Sequence, residues 1–166
     1  MADPPDKKHG FVSYARKDIA MFRTFQTHLR TIEKNYGVEF WIDEVLETGT
    51  DWKAGIEQAI EKADIFVLML SPAFLASDFI YYTEYPAIES RCSATGAPLI
   101  PVYLKQCLYD PLCGHLQIAP LINGRLCSIE TVTPRNTGYY TASQKIEQAL
   151  RDRLKLTSAA RAGRSP

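Results

Sequence analysis

The stretch WIDEVLETGTDW, residues 41–52, sets four acids (Asp43, Glu44, Glu47 and Asp51) between Trp41 and Trp52, with no lysine or arginine. Such a segment suits a mobile flap over a groove, and equally an ordinary solvated connection. Asp43 stands where a strand should end, as a phospho-acceptor carboxylate does in response regulators. Those proteins also need acids after the first strand, and FVSYA at 11–15 supplies none. A second stretch, SDFIYYTE at 77–84, places Ser77 seven steps before Glu84. On a helix, residues i, i+4 and i+7 share a face, so Ser77, Ile80 or Tyr81, and Glu84 look into one groove. Taken alone, a glutamate on a helix is an ordinary solvated residue. The sequence contains no GxGxxG, no GxxxxGK[ST] and no GxSxG. A dinucleotide-binding dehydrogenase, a P-loop enzyme and a nucleophile-elbow hydrolase therefore have no support. Cys92, Cys107, Cys113 and Cys127 form neither a zinc pattern nor a CxxC pair, and His9, His28 and His115 are scattered. No metal site is expected from these spacings.

Alternating strands and helices must position these stretches. FVSYA reads as a short buried strand. Ile19, Phe22, Phe25, Leu29 and Ile32 recur at three- and four-residue steps, giving a helix with one apolar face that ends at Gly37. VEFWID at 38–43 is a second strand, and Trp52, Ile56, Ala59 and Ile60 mark a second helix. ADIFVLML at 63–70 is almost continuously apolar, so both faces of this strand are covered. SPAFLASD reads as a loop, 79–92 as a third helix, and APLIPVYL at 97–104 as a fourth strand. Pro101 places that strand near an edge or at a bulge. Residues 105–124 read as irregular, LCSI at 126–129 as a weak fifth strand, and 143–156 as a final helix with Ile146, Ala149, Leu150 and Leu154 on its apolar side. This alternation implies a parallel sheet with helices on both faces. Ligands of such sheets bind beyond the carboxyl ends of the strands, which here means 13–17, 43–52, 71–78 and the loop after Leu104.

Composition fits one folded domain: 166 residues, 46% hydrophobic and 23% charged. Nineteen basic residues balance nineteen acidic ones, so nothing favours nucleic acid or a membrane surface. The longest apolar run, IFVLML, is too short to span a bilayer, and MADPPDKKHG lacks the apolar core of a signal peptide. Reduced cysteines in a cytoplasmic protein are expected. Residues 1–8 read as a disordered lead, 9–156 as the domain, and 157–166 as a flexible tail or the start of a linker.

Several segments together resemble TIR (Toll/interleukin-1 receptor) domains. FVSYARKD resembles the family's first box, and WIDEVLETGTDW its second strand with the BB loop. ADIFVLMLSPAFLASDF resembles the third strand and following loop, and YYTEY carries the glutamate of the next helix. The resemblance covers about 9–155 and is closer to bacterial members than to animal receptor tails. It implies a flavodoxin-like α/β three-layer sandwich with a five-stranded parallel sheet. It also implies two alternative functions. One is an NAD+ glycohydrolase of the NAD+ nucleosidase or ADP-ribosyl cyclase type. It would cleave the nicotinamide–ribose bond to give nicotinamide and ADP-ribose or a cyclic form, would be activated by self-assembly, and would serve as a bacterial defence effector. The other is a non-catalytic interaction module, an adaptor or a mimic of host signalling.

The resemblance makes Glu84 the catalytic candidate. The common pattern SxWxxxE is one residue shorter than SDFIYYTE and carries a tryptophan that this segment lacks, so Phe79 and Ile80 become candidates for contact with nicotinamide. Ser13, Tyr14 and Arg16 are implied to hold the nucleotide, with helix-capping and packing as the alternative for Ser13 and Tyr14. Asp43, Glu47, Gly49, Trp52 and Ser77 are implied at the substrate rim, with loop ordering as the alternative for Asp43 and a helix-start anchor as the alternative for Trp52. NAD+ would be the substrate, with no cofactor. Partners would be other TIR domains through the BB loop and a fused or separate sensor domain.

Overall fold

The computed structural model describes residues 7–42 and 52–163, the side chains of 157–161 excepted. A parallel sheet is built from β1 (Lys8–Ser13), β2 (Val38–Trp41), β3 (Ile65–Leu70) and β4 (Leu99–Tyr103) in the order β2-β1-β3-β4. Gly10 stands opposite both Phe40 and Ile65, and Leu70 opposite Tyr103. The chain reverses direction across the sheet between β1 and β3, which makes their carboxyl ends the switch point.

Alternation along β3 divides the core into two layers. All six β3 residues are buried. Ile65, Val67 and Met69 pack on one face with Phe22, Phe25 and Leu29 of α1 (Ile19–Tyr36) and with Ile146 and Leu150 of α6 (Arg135–Ala162). Phe66, Leu68 and Leu70 pack on the other face with Ile56 and Ile60 of α2 (Trp52–Lys62) and with Ile88 of α4 (Tyr85–Thr95). Each such side chain contributes about 1.5–3 kcal/mol when fully buried. Gly37, at φ 62°, closes α1 in the left-handed conformation that glycine adopts without strain.

Four elements differ from the sequence expectation. SPAFLASD is not a loop: it contains α3 (Pro72–Ala76), with Ser71 Oγ accepting from Phe74 N at 3.0 Å and Pro72 in the first turn. A capping serine followed by proline is a helix start. The helix expected from 79 begins instead with a π turn, Ile80–Glu84, that runs into α4. LCSI does not add a fifth parallel strand. Leu126 instead pairs antiparallel with Leu121 in a small hairpin, β5 (Leu121–Ile122) and β6 (Arg125–Leu126). Asn123 and Gly124 between them have φ 50° and 75°, the positive pair that a tight Asn-Gly hairpin turn requires. Finally, α6 starts at Arg135 and not at 143, because Tyr139 and Ala142 extend its buried stripe by two more turns.

Among the described residues the sheet therefore has four strands, and the place beside β4 holds a single bridge, Val102 to Ala119. Ala119 N donates to Pro101 O at 3.0 Å and Tyr103 N to Ala119 O at 2.7 Å. Pro101 thus turns its missing N–H toward the thinly paired side, as expected for a near-edge proline. Within the stretch 105–124, Asp110–Cys113 forms one helical turn, α5.

Two measurements check this packing. A methyl group at Gly10 would overlap the buried Phe40 ring. Gly10→Ala should therefore cost about 1–3 kcal/mol in denaturant unfolding. Cys113 has no exposed surface. Burial first, then Cys107 and Asp110, push its thiol up to about 12. Its unreactive thiol form then dominates at pH 8, so iodoacetamide should label Cys113 only after denaturation.

Candidate functional site

A cleft of about 560 Å³ opens at the switch point, lined by Tyr14, Ala15, Arg16, Lys17, Trp52, Ala73, Ala76, Ser77, Phe79, Ile80 and Glu84. Its volume is that of a small-molecule site. Its floor is Glu84, 7% exposed, whose Oε1 accepts a hydrogen bond from the hydroxyl of Ser13, 3% exposed, at the end of β1. A buried carboxylate is costly without such a donor.

The π turn aims Glu84 at the cleft. Tyr85 N donates to Ile80 O, an i→i+5 bond that takes up one extra residue. The seven-step spacing from Ser77 to Glu84 is thereby accommodated, and both residues line the same cleft as Ile80. Such turns are frequent at functional sites. Ser77 Oγ accepts from Ile80 N at 3.3 Å, which joins α3 to the turn. On its far side the turn is anchored by Tyr85, whose hydroxyl donates to Leu112 O at 3.0 Å. Burial, then the charge of Glu89, raise the phenol of Tyr85 above its ordinary range. Tyr81 is not among the cleft residues; its ring meets that of Tyr82 at 5.1 Å.

The other expected residues divide into walls and rim. Tyr14 stacks on Phe22 at 4.1 Å and presents its remaining surface to the cleft. Arg16 is exposed, in the 3-10 turn Arg16–Asp18. Trp52 opens α2 and meets Phe79 edge to face at 4.7 Å, so these two rings form one aromatic wall. Asp43, Glu47 and Gly49 lie outside the described residues. Lys17, Ala73 and Ala76 fall in the expected stretches 13–17 and 71–78, although the sequence did not single them out. The signal for the two alanines was SPAFLAS itself, where small residues on a capped helical turn leave room for a ligand. Trp41, at the end of β2, stacks flat on Phe11 at 5.3 Å and lines a small recess with Ser13 and Glu84.

A cavity of about 790 Å³ lies at the far edge of the sheet, between α6 and the segment around Leu116 to Leu126. Its single lining acid, Asp110, is exposed. Size points there, but a carboxylate held out of water points to the Glu84 cleft. Among the described residues, no three His, Cys, Asp or Glu side chains come together as a metal-binding group.

The Ser13–Glu84 bond is measurable through stability. Ser13→Ala should cost about 1–3 kcal/mol by leaving the carboxylate short of a donor. Ser13→Ala and Glu84→Gln should be non-additive in a double-mutant cycle, with a coupling of at least about 0.5 kcal/mol. Additive costs would show that the two side chains do not depend on each other.

The TIR domain family model matches residues 11–130. An uncharacterized protein of Sinorhizobium fredii (strain NBRC 101917 / NGR234), y4lF, is 29% identical over 97 residues, which cover 58% of this chain and 30% of that protein. The chain thus matches under a third of the length of this curated relative. Among solved structures, the TIR domains in the structure of the activated Roq1 resistosome directly recognizing the pathogen effector XopQ align with a TM-score of 0.47 and 20% identity. That alignment covers 91% of this chain and 78% of the other. With a family match across most of its length, on a parallel α/β sheet, this chain belongs to the TIR domain family.

Proposed function

We propose that this TIR domain is an NAD+ glycohydrolase, with Glu84 as its catalytic residue. One observation carries the reading: a carboxylate 7% exposed, hydrogen-bonded by Ser13, at the floor of a cleft at the switch point of the sheet. Nicotinamide in NAD+ is a cationic leaving group and needs little acid assistance. When the C1′–N bond breaks, its electron pair goes to the ring nitrogen and neutral nicotinamide departs. Positive charge then develops on the ribose, and a fixed carboxylate in a water-poor site stabilises it. A water oxygen captures C1′ and loses a proton, giving ADP-ribose; capture by an adenine nitrogen gives the cyclic product.

The walls suit the rest of the substrate. The Trp52–Phe79 pair offers apolar ring surface to a base, Trp41 lies in the adjoining recess beside Glu84, and Arg16 and Lys17 offer positive charge to the diphosphate. No step of this route calls for a metal or a cofactor. Self-assembly with other TIR domains, a sensor domain fused or separate, a cytoplasmic place of action and a role in bacterial defence belong to the same reading. Among the described residues, no helix is long and apolar enough to cross a membrane.

Nicotinamide release from NAD+ tests it, with the protein clustered at high concentration. Glu84→Ala and Glu84→Gln should each lower kcat by about a hundredfold or more, since both remove the charge that the ribosyl cation needs. A wild type that stays inert when clustered would sink the enzyme reading and leave an interaction module. A Glu84→Ala variant as fast as wild type would move the chemistry elsewhere.

A further inference from the structure

Asp18 occupies the N-cap of α1, yet its side chain accepts no hydrogen bond from that helix. An aspartate in this position ordinarily caps. Here the carboxylate turns inward and is 1% exposed. Its Oδ1 lies 2.7 Å from Lys105 Nζ, and its Oδ2 accepts a hydrogen bond from the Ser71 hydroxyl. Ser71 Oγ in turn accepts from Phe74 N and so starts α3. The segments that leave the carboxyl ends of β1, β3 and β4 therefore meet on one carboxylate.

Two walls of the cleft, those that follow β1 and β3, hang from this junction. Arg16 and Lys17 share a 3-10 turn with Asp18, and Ala73 and Ala76 sit on the helix that Ser71 begins. Asp18, Ser71 and Lys105 themselves do not line the cleft. We propose that these three are positioning residues, which hold the β1 wall and the α3 wall at the separation the substrate requires. The proposal rests on reading the cleft as the NAD+ site.

The chemistry of the junction sets the variants. A buried carboxylate tolerates the loss of its cationic partner poorly, whereas removing both charges together leaves no unpaired ion. Lys105→Met strands Asp18, and Ser71→Ala removes both its donor and the cap of α3. Lys105→Arg keeps the pair. Asp18→Asn with Lys105→Met removes both charges and leaves an amide oxygen to accept from Ser71. The test measures kcat and KM for NAD+ in clustered protein, and amide hydrogen exchange at Phe74 and Leu75 against Ile88 of α4. Lys105→Met and Ser71→Ala should raise KM about tenfold while kcat changes by less than about threefold. Exchange at Phe74 and Leu75 should quicken without change at Ile88. Lys105→Arg and the double variant should bring KM back to within about threefold of wild type.

A purely structural role would lower kcat with the amount of folded protein and leave KM and the local exchange pattern unchanged. That result overturns the proposal. If the wild type cleaves no NAD+, the reading of the cleft fails. The exchange measurement still decides the junction: quickening confined to α3 supports it, and unchanged exchange in both Lys105→Met and Ser71→Ala overturns it. If Lys105→Met fails to fold, Ser71→Ala carries both measurements.

Discussion

Glu84 is held out of water at the point where the first strand ends and the helix after the third strand begins. Its contact with the Ser13 hydroxyl crosses between those two elements, and the rest of the site is arranged around it. A carboxylate in such a place is costly without partners. It is kept by a donor from β1, by a π turn that sets its direction and by packing on both sides. Ile80 and Tyr85 close the apolar side of the turn, while the Trp52–Phe79 pair and Tyr14 bound the open side. In the proposed reaction, a charge so placed would act strongly on the developing cation, because water does not compete with it.

The sheet makes this arrangement possible. With β1 and β3 adjacent, and the chain turning away from them in opposite directions, a gap opens above their carboxyl ends. The loops that bound the gap are tied below it by Asp18, Ser71 and Lys105. The aromatic wall is held by the edge-to-face contact of Trp52, at the start of α2, with Phe79, just before the π turn. The larger cavity lies at the other edge of the sheet, where, among the described residues, a single bridge continues the sheet beyond β4. It follows from the edge of the fold and is not built around a charge.

Much of this was legible in the residues. Periodicity placed α1 and its glycine stop, and the unbroken apolar run of β3 implied helices on both faces. Pro101 marked the thinly paired side of β4. Two misread elements carried readable local signals. Ser71-Pro72 is a capped helix start, and Asn123-Gly124 is a hairpin turn, but each was outweighed by expectations for a whole segment. The π turn was legible only as an irregularity, the extra residue between Ser77 and Glu84. No local propensity distinguishes such a turn from an α-helix, because the surrounding packing selects it. The burial of Glu84 was not legible at all: a glutamate on a helix becomes buried only when Ser13, distant by 71 positions, comes beside it. Asp18 shows the same limit. As a sequence feature it is a helix cap, and only the tertiary structure turns it toward Ser71 and Lys105.

Whether NAD+ binds over Glu84 decides the proposed activity. The most direct measurement is a crystal structure of the Glu84→Gln variant soaked with NAD+. The expected result places the nicotinamide ribose C1′ beside the side chain of residue 84, with the rings of Trp52, Phe79 or Trp41 against a base and Arg16 or Lys17 near the diphosphate. NAD+ bound instead in the cavity beside α6, or with its ribose turned away from residue 84, would contradict it.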